Sequence, residues 1–250
     1  MFRKTRIFLP LLLVNFSFLD VSCAYAQLPF AFPVEQPDTI MRDALKLPYS
    51  KDVLAEFAAS VEKSADPACL REKQLDTAKI AAAGHELLMR YGVRILNLAV
   101  ENVDQNVYRK SLKEIGGANV EEEITKLSAD PVVKKMIESE RPARLMSAFD
   151  VTVENLERYA LLRRLRLANF SGISTGNEQL LLKGEKAQDD ALQFRESNQT
   201  PEVKRFTELS DYIAEALNRS FRREKAILLG PSQYFQDADK DLAAICVTPR

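Results

Sequence analysis

The sequence predicts an all-α protein, an irregular bundle of about seven to eight helices behind a proline-rich N-terminal arm. Apolar residues recur at steps of three and four along much of the chain, which is the period of an amphipathic helix. No segment alternates convincingly with period two, and no Asn-Gly or Asp-Gly pair marks a hairpin. The 8 glycines in 250 residues also favour helices over a strand-and-turn protein.

The first residues have the pattern of a secretory signal peptide. Three basic residues precede a mostly apolar stretch over 7–19, and the Ala-Tyr-Ala at 24–26 provides the small residues that signal peptidase prefers. We therefore expect residues 1–26 to be removed and the chain to be exported to the periplasm or, alternatively, secreted to the extracellular medium. Cys23 suggests a lipid anchor as another alternative, but Asp20 stands where an aliphatic residue is expected.

The mature chain has nearly balanced charge. Removing residues 1–26 takes three basic residues and Asp20 from the totals of 35 Lys+Arg and 36 Asp+Glu, which leaves a formal charge of −3. This charge predicts no general affinity for nucleic acid or anionic lipid. No second apolar run is long enough to span a bilayer, so we expect no transmembrane segment after cleavage.

Cys69 and Cys246 are the two cysteines of the mature chain. An even count in an oxidising compartment favours one disulfide, which would clip the C-terminal tail, residues 231–250, to the beginning of a helix. By closing such a long loop it would stabilise the fold by roughly 4–5 kcal/mol. Two independent thiols are the alternative, because Cys69 lies near a helix N-terminus that would lower its pKa.

Prolines and glycines set the expected boundaries. The segment 27–50 contains four prolines and is predicted to be an extended arm with one short helix near 38–45. The helical domain is placed at 51–230, where Asp66-Pro67, Asp130-Pro131 and Thr200-Pro201 each pair a capping side chain with proline at the first helical position. Glycines stand where other helices should end. The predicted helices are 51–64, 67–90, 93–115, 118–128, 131–139, 142–170, 176–197 and 201–228.

The helix from 201 has the clearest apolar face. Apolar residues recur along it at steps of three and four, so one side of this helix must pack against the rest of the protein. A second feature is the alanine-rich segment 75–91, along which a neighbouring helix could approach closely. The apolar face of the helix from 201 comprises Phe206, Leu209, Ile213, Leu217 and Phe221.

The sequence lacks the residues that most catalytic and metal-binding sites require. His85 is the only histidine, so no zinc set, di-iron motif or axial haem pair can be written, and we predict no metal and no cofactor. A packing role beside an apolar helix face is expected for His85 instead. Phosphate-loop, dinucleotide and Gly-x-Ser-x-Gly patterns are absent from the sequence.

Three charged groups leave functional alternatives open. The pair Glu138-Ser139 resembles the catalytic Glu-Ser of helical lytic transglycosylases, although the Gly-Leu-Met-Gln element of that family is missing. The run 121–123 of three glutamates opens a predicted helix, where negative charge complements the helix dipole. An arginine cluster is a candidate partner or anion patch, with a solvated helix surface as the alternative. Its members are Arg158, Arg163, Arg164 and Arg166.

These observations favour an exported, soluble, non-enzymatic protein that binds another protein or an envelope component. Few catalytic side chains and many amphipathic helices support that interpretation. Two alternatives remain. Helices that are apolar on several faces could enclose a hydrophobic small molecule, and converging carboxylates could form a cell-wall hydrolase.

Overall fold

The computed structural model describes residues 35–158, 178–222 and 237–247. Over these residues the chain forms ten α-helices and no strand beyond one isolated bridge, so the predicted all-α class is confirmed. In chain order the helices are α1 Pro37–Ala44, α2 Pro48–Ser64, α3 Pro67–Glu72, α4 Thr77–Glu101, α5 Gln105–Gly116, α6 Val120–Leu127, α7 Pro131–Arg158, α8 Glu178–Ser197, α9 Pro201–Ser220 and α10 Ala238–Ala244.

The polar residues expected to cap helices do so at three starts. The Asp66 carboxylate accepts from the amide two residues later at 2.9 Å, and the Asp130 carboxylate accepts from the amides two and three residues later at 2.9 and 3.0 Å. The Thr200 hydroxyl accepts from the amide three residues later at 3.2 Å. Proline follows each cap at a position that needs no N–H donor. The helix starts at 67, 131 and 201 are confirmed.

The predicted helices 67–90 and 93–115 are wrong in their boundaries. The structure has three helices here, because α3 ends at Glu72 and α4 runs without interruption from Thr77 to Glu101. Asp76 and Asp104 cap α4 and α5 through their carboxylates. Neither is followed by proline, which is why the breaks before them are hard to recognise in the sequence. Gly92 lies buried inside α4 rather than at a helix end.

Helix α7 passes through Pro142, which corrects the predicted break between 131–139 and 142–170. Proline within a helix removes one backbone hydrogen bond and costs roughly 3 kcal/mol. Packing on both sides outweighs this cost, since Val133 and Met136 are buried before the proline and Leu145 and Phe149 after it.

Residues 37–44 and 48–50 are helical, with a short turn at 45–47 between them, which corrects the extended arm predicted for 27–50. The short helix expected near 38–45 is present as α1. Pro37 and Pro48 stand in the first turns of α1 and α2, where proline costs no hydrogen bond. Met41 is fully buried, so this segment belongs to the folded body. Residues 27–34 lie outside the described part.

Core one is the apolar interior formed by α1, α2, α4, the second half of α7 and α10. At Gly84 of α4, an added Cβ would lie 2.5 Å from the Phe57 ring of α2, so α2 and α4 approach closely in the alanine-rich segment, as predicted. A small cluster around Met41 and Leu96 fills the contact between α1, α4 and α7. The large buried side chains of core one include Tyr49, Phe57, Ile80, Tyr91, Phe149 and Leu242.

Core two is formed by α5, α6, the first half of α7 and α9. The apolar face predicted for α9 is buried at Phe206, Leu209 and Ile213, and Leu217 packs at its edge. The remaining buried side chains include Tyr108, Leu112, Ile124, Val133 and Met136. Helix α7 contributes to both cores, and α8 runs beside it with Ala187 against core one and Phe194 against core two.

Helix α9 ends at Ser220, earlier than the predicted 228, because the next residues pair with the connection between α4 and α5. The Asp104 amide donates to the Ser220 carbonyl at 2.9 Å, and the Arg222 amide donates to the Asn102 carbonyl at 2.7 Å. The Arg222 guanidinium also donates to the Asp104 carboxylate. This short pairing fixes the end of core two against the end of α4.

Candidate functional site

Residues 237–247, the C-terminal strap, carry the most distinctive chemistry of the described chain. Cys246 of the strap is bonded to Cys69 of α3, with an S–S distance of 2.12 Å and a Cα–Cα distance of 5.7 Å. The predicted pairing of the two cysteines is thus present in the structure. Leu242, Ile245 and Val247 are at most 2% exposed and belong to core one.

A polar contact fastens the first turns of the strap to α4. The Tyr91 hydroxyl donates to the Asp241 carboxylate, which also pairs with the Arg90 guanidinium. Burial, and after it the hydrogen bond to Asp241, raise the pKa of Tyr91 above its usual value. The guanidinium groups of Arg90 and Arg94 lie 5.1 and 5.5 Å from the centre of the Tyr91 ring, within cation–π distance. This contact joins residues 150 positions apart.

The end of the strap is held by the residues that flank α3, Asp66 before it and Lys73 after it. The Asp66 amide donates to the Cys246 carbonyl at 3.1 Å. The Lys73 ammonium donates to the carbonyls of Ala243 and Ala244 at 2.7 and 3.4 Å, which satisfies groups that a helix C-terminus leaves unpaired. Cys246 has φ of +62°, a left-handed conformation that non-glycine residues adopt at a cost.

An ion cluster lies where the two cores meet along α7. The Arg141 guanidinium donates to Glu35 at 3.1 Å and to Asp43 at 2.7 Å, and the Arg195 guanidinium donates to Glu140 at 3.0 Å. Glu140 is 8% exposed, so its charge needs the Arg195 partner. The Arg141 hydrogen bond, followed by one from Lys46, lowers the pKa of Asp43 to about 2. The cluster ties α1, α7 and α8 together.

Tyr49 and Asp150 form a second polar contact inside core one. The Tyr49 hydroxyl donates to the Asp150 carboxylate at 2.8 Å. Burial, and after it the Asp150 charge, raise the pKa of Tyr49, so the phenol stays protonated and remains a donor. This bond connects the start of α2 to the second half of α7.

The glutamates at 121–123 do more than complement the dipole of α6. The Arg205 guanidinium of α9 donates to both carboxylate oxygens of Glu123 at 2.7 and 2.9 Å. Glu122 pairs with Lys126 at 2.6 Å. Burial, and then Glu121, raise the pKa of Tyr108 to about 12. Sequence reasoning missed the Arg205 contact because 82 residues separate the partners.

A cavity of about 240 Å³ opens at the turn between α5 and α6. Arg109 and Lys113 face it from α5, Glu121 and Glu122 from α6, and Leu112 contributes apolar surface. Pockets for drug-sized ligands usually hold roughly 300–1,000 Å³ and are mostly apolar. This cavity is therefore small and its rim is charged with both signs.

The residues singled out in the sequence are scattered. His85 is exposed on α4, contrary to the packing role expected for it, since the apolar face of α4 is formed by its neighbours. Glu138 is exposed on α7, and the Ser139 hydroxyl donates to the Met136 carbonyl at 2.7 Å. Arg163, Arg164 and Arg166 lie outside the described residues, as does the Arg158 side chain.

No group of three or more His, Cys, Asp or Glu side chains in the described ranges is arranged so that it could hold a metal ion. None of the helices in this part of the chain has the length and apolar character needed to cross a membrane.

The chain was compared with protein-family models, with curated proteins and with solved structures. None of the three comparisons gives a match.

Proposed function

We propose that this chain is exported through its N-terminal segment into an oxidising compartment, the bacterial periplasm, and acts there as a non-enzymatic binding or envelope-assembly protein. The disulfide between Cys69 and Cys246 is the observation that carries the proposal. Disulfides persist in exported proteins and are rare where cellular thiols are kept reduced. The signal-peptide pattern over residues 1–26 agrees with it.

A role in binding is supported by what the described residues do with their polar groups. The tyrosines of core one donate to carboxylates in structural contacts, and the ion cluster connects three helices. These groups stabilise the fold and do not converge on a reacting centre in the described part. The exposed helix faces carry charges of both signs, and the rim of protein interfaces is polar and solvent-accessible.

The carrier and hydrolase alternatives gain no comparable support from the described residues. A carrier needs an apolar cavity, whereas the cavity between α5 and α6 is small and has a charged rim. A carboxylate hydrolase needs a general acid whose pKa is raised by burial, whereas Glu138 is exposed. We therefore do not propose either.

Export is tested by expressing the full chain with a C-terminal tag in a bacterial host and fractionating the cells. We expect the protein in the periplasmic fraction, starting at Gln27 by intact-mass measurement and holding one disulfide. A matched chain lacking residues 2–26 should stay in the cytoplasm with reduced cysteines. Recovery of the full-length, uncleaved protein in the cytoplasm would refute the proposal, and recovery in the medium would replace the periplasm with secretion.

Binding is tested by crosslinking the exported protein in its native host and identifying what copurifies with its tag at constant stoichiometry. We propose the arginine cluster as the contact surface, so replacing Arg163, Arg164 and Arg166 with Gln should reduce recovery of the partner. The matched control replaces Arg109, Lys110 and Lys113, three exposed cations of α5, with Gln. Equal recovery in both variants would remove the arginine cluster from the proposal.

A further inference from the structure

We propose that the C-terminal strap is a redox-controlled element, which a dithiol opens by reducing the bond between Cys69 and Cys246 while the rest of both cores stays folded. The inference goes beyond the proposed function, because it requires only the disulfide and the strap contacts and no binding partner.

The non-covalent attachment of the strap is small compared with what must be ordered. Three apolar side chains, Leu242, Ile245 and Val247, enter core one. Helix α10 has seven residues, and helices of that length do not form stably on their own in water. Docking must therefore order the strap backbone while burying few apolar side chains. The covalent bond favours docking because it removes the entropic cost of bringing the end of the strap to its docking surface.

The backbone at Cys246 belongs to the C-terminal cap of α10. Its φ of +62° is the left-handed conformation of a capping turn, in which the Cys246 amide donates to the Ala243 carbonyl at 3.2 Å and the Val247 amide to the Leu242 carbonyl at 2.9 Å. Cys246 is joined to the rest of the fold by its bond to Cys69 and by the Asp66 amide, which donates to the Cys246 carbonyl. Once the bond is broken, this single backbone hydrogen bond remains at Cys246.

The two cysteine residues differ in exposure, and we infer the order of the exchange from that difference. Cys69 is half-buried on α3, whereas Cys246 is 3% exposed. A thiolate of the dithiol attacks the Cys69 sulfur, forms a mixed disulfide with it and expels Cys246 as a thiolate. The second thiol of the reductant then attacks its own sulfur in the mixed disulfide and releases Cys69 as a thiolate. The dithiol is oxidised to a disulfide, and its two electrons end on the two cysteines.

The cores keep most of their contacts when the strap leaves. Core one retains the packing among α1, α2, α4 and α7, including fully buried Ile80 and Phe149 and the Tyr49–Asp150 hydrogen bond. Core two contains no residue of the strap. Opening therefore frees the surface around Tyr91, whose hydroxyl loses its Asp241 acceptor, without dismantling the bundle.

The test is hydrogen exchange followed by mass spectrometry on the exported, oxidised full protein, with and without dithiothreitol as the dithiol. We expect exchange in 240–247 to become at least about tenfold faster after reduction, while α5 and α9 keep their protection. Retained protection in 240–247 would overturn the proposal, since the strap would then stay docked without its bond. Simultaneous loss of protection in α2, α4, α5 and α9 would also overturn it, because the bond would then hold the whole fold.

Two variants separate the bond from the polar contacts. Cys246→Ser should show the open pattern without reductant and should not respond to dithiothreitol. Tyr91→Phe keeps the bond and should stay closed until dithiothreitol is added.

In the reduced native protein, iodoacetamide should modify Cys246 and Cys69 at similar rates, as expected once the strap is free. Much slower modification of Cys246 would mean that it remains buried, which would contradict opening.

Discussion

Core one and core two are built from different kinds of connection. Core one gathers segments from across the chain, 41–99, 145–153 and 242–247, and joins them with a disulfide and two hydrogen bonds from buried tyrosines to carboxylates. Core two uses 108–136 and 203–216, and its long-range pairs, Glu123–Arg205 and Asp104–Arg222, have solvent-accessible side chains. Both cores therefore have long-range links, but those of core one are covalent or reach into the interior, whereas these two pairs of core two are screened by solvent.

The largest effect should come from removing one aromatic ring in each core. Phe149 is fully buried in core one and Phe206 is 4% exposed in core two. Changing either to alanine should lower the free energy of unfolding by about 3–5 kcal/mol, because each leaves a cavity. Chemical denaturation measures the loss, and hydrogen exchange locates it. We expect faster exchange in α2 and α4 for Phe149→Ala, and in α5 and α9 for Phe206→Ala. If either variant accelerated exchange equally in the helices of both cores, the two cores would not be separate units of stability.

A smaller effect should follow from filling the close contact between α2 and α4. In Gly84→Ala the new Cβ would lie 2.5 Å from two atoms of the Phe57 ring, which is buried and has little room to move. We expect a net loss of about 1–2 kcal/mol after allowing for the better helix propensity of alanine.

Gly92→Ala is the matched control in the same helix, measured by thermal denaturation beside Gly84→Ala. Its closest neighbours are Met41 Cε and Sδ, at the end of a flexible side chain that can move aside. Gly92→Ala should therefore be the milder change. A larger loss for Gly92→Ala than for Gly84→Ala would mean that the Phe57 ring moves aside more easily than the Met41 side chain.

The stability of the protein should fall at low pH because of the ion cluster beside core one. Arg141 and Lys46 hold the pKa of Asp43 at about 2, below the value near 4 of a free aspartate. The stabilisation is complete above about pH 4 and is lost as the pH falls through about 2, because the unfolded chain binds the proton first. Asp43→Asn should lower the melting temperature at pH 6 and flatten its fall between pH 4 and 2. A slope identical to that of the native protein would exclude Asp43 as a contributor.

The smallest effect is expected at the surface of core two. Glu123 and Arg205 form a bidentate pair, but both side chains are about 40% exposed and solvent screens them. Glu123→Gln should shift the melting temperature no more than Lys110→Gln, which alters an exposed pair within α5. A clearly larger shift in melting temperature at low salt that disappears at high salt would show that the Glu123–Arg205 pair stabilises core two.

The packing of the two cores also explains which helix boundaries can be predicted from the sequence. Helix starts at Asp-Pro and Thr-Pro follow from local chemistry and were predictable. Proline does not always end a helix, since α7 continues through Pro142 where two cores pack on it. Asp76 and Asp104, which cap helices without a following proline, left too little local signal to place the breaks before α4 and α5.

The candidate site was predictable only in its covalent part. Cysteine parity indicates the pairing of Cys69 with Cys246 because just two cysteines remain after residue 26. Tyr91 and Asp241 give no such signal, since both residue types are common and their contact exists only after the strap has docked. Side-chain partners 150 positions apart are set by the tertiary fold and not by any local pattern.

The separation of the two cysteines also sets an order of events during biosynthesis. Cys246 is made 177 residues after Cys69, so ribosomes must translate every segment of both cores before the two sulfurs can meet. Until then Cys69 is a nascent-chain thiol with no native partner. This bond can therefore form only late, in molecules whose translation has already passed residues 41–216 of the two cores.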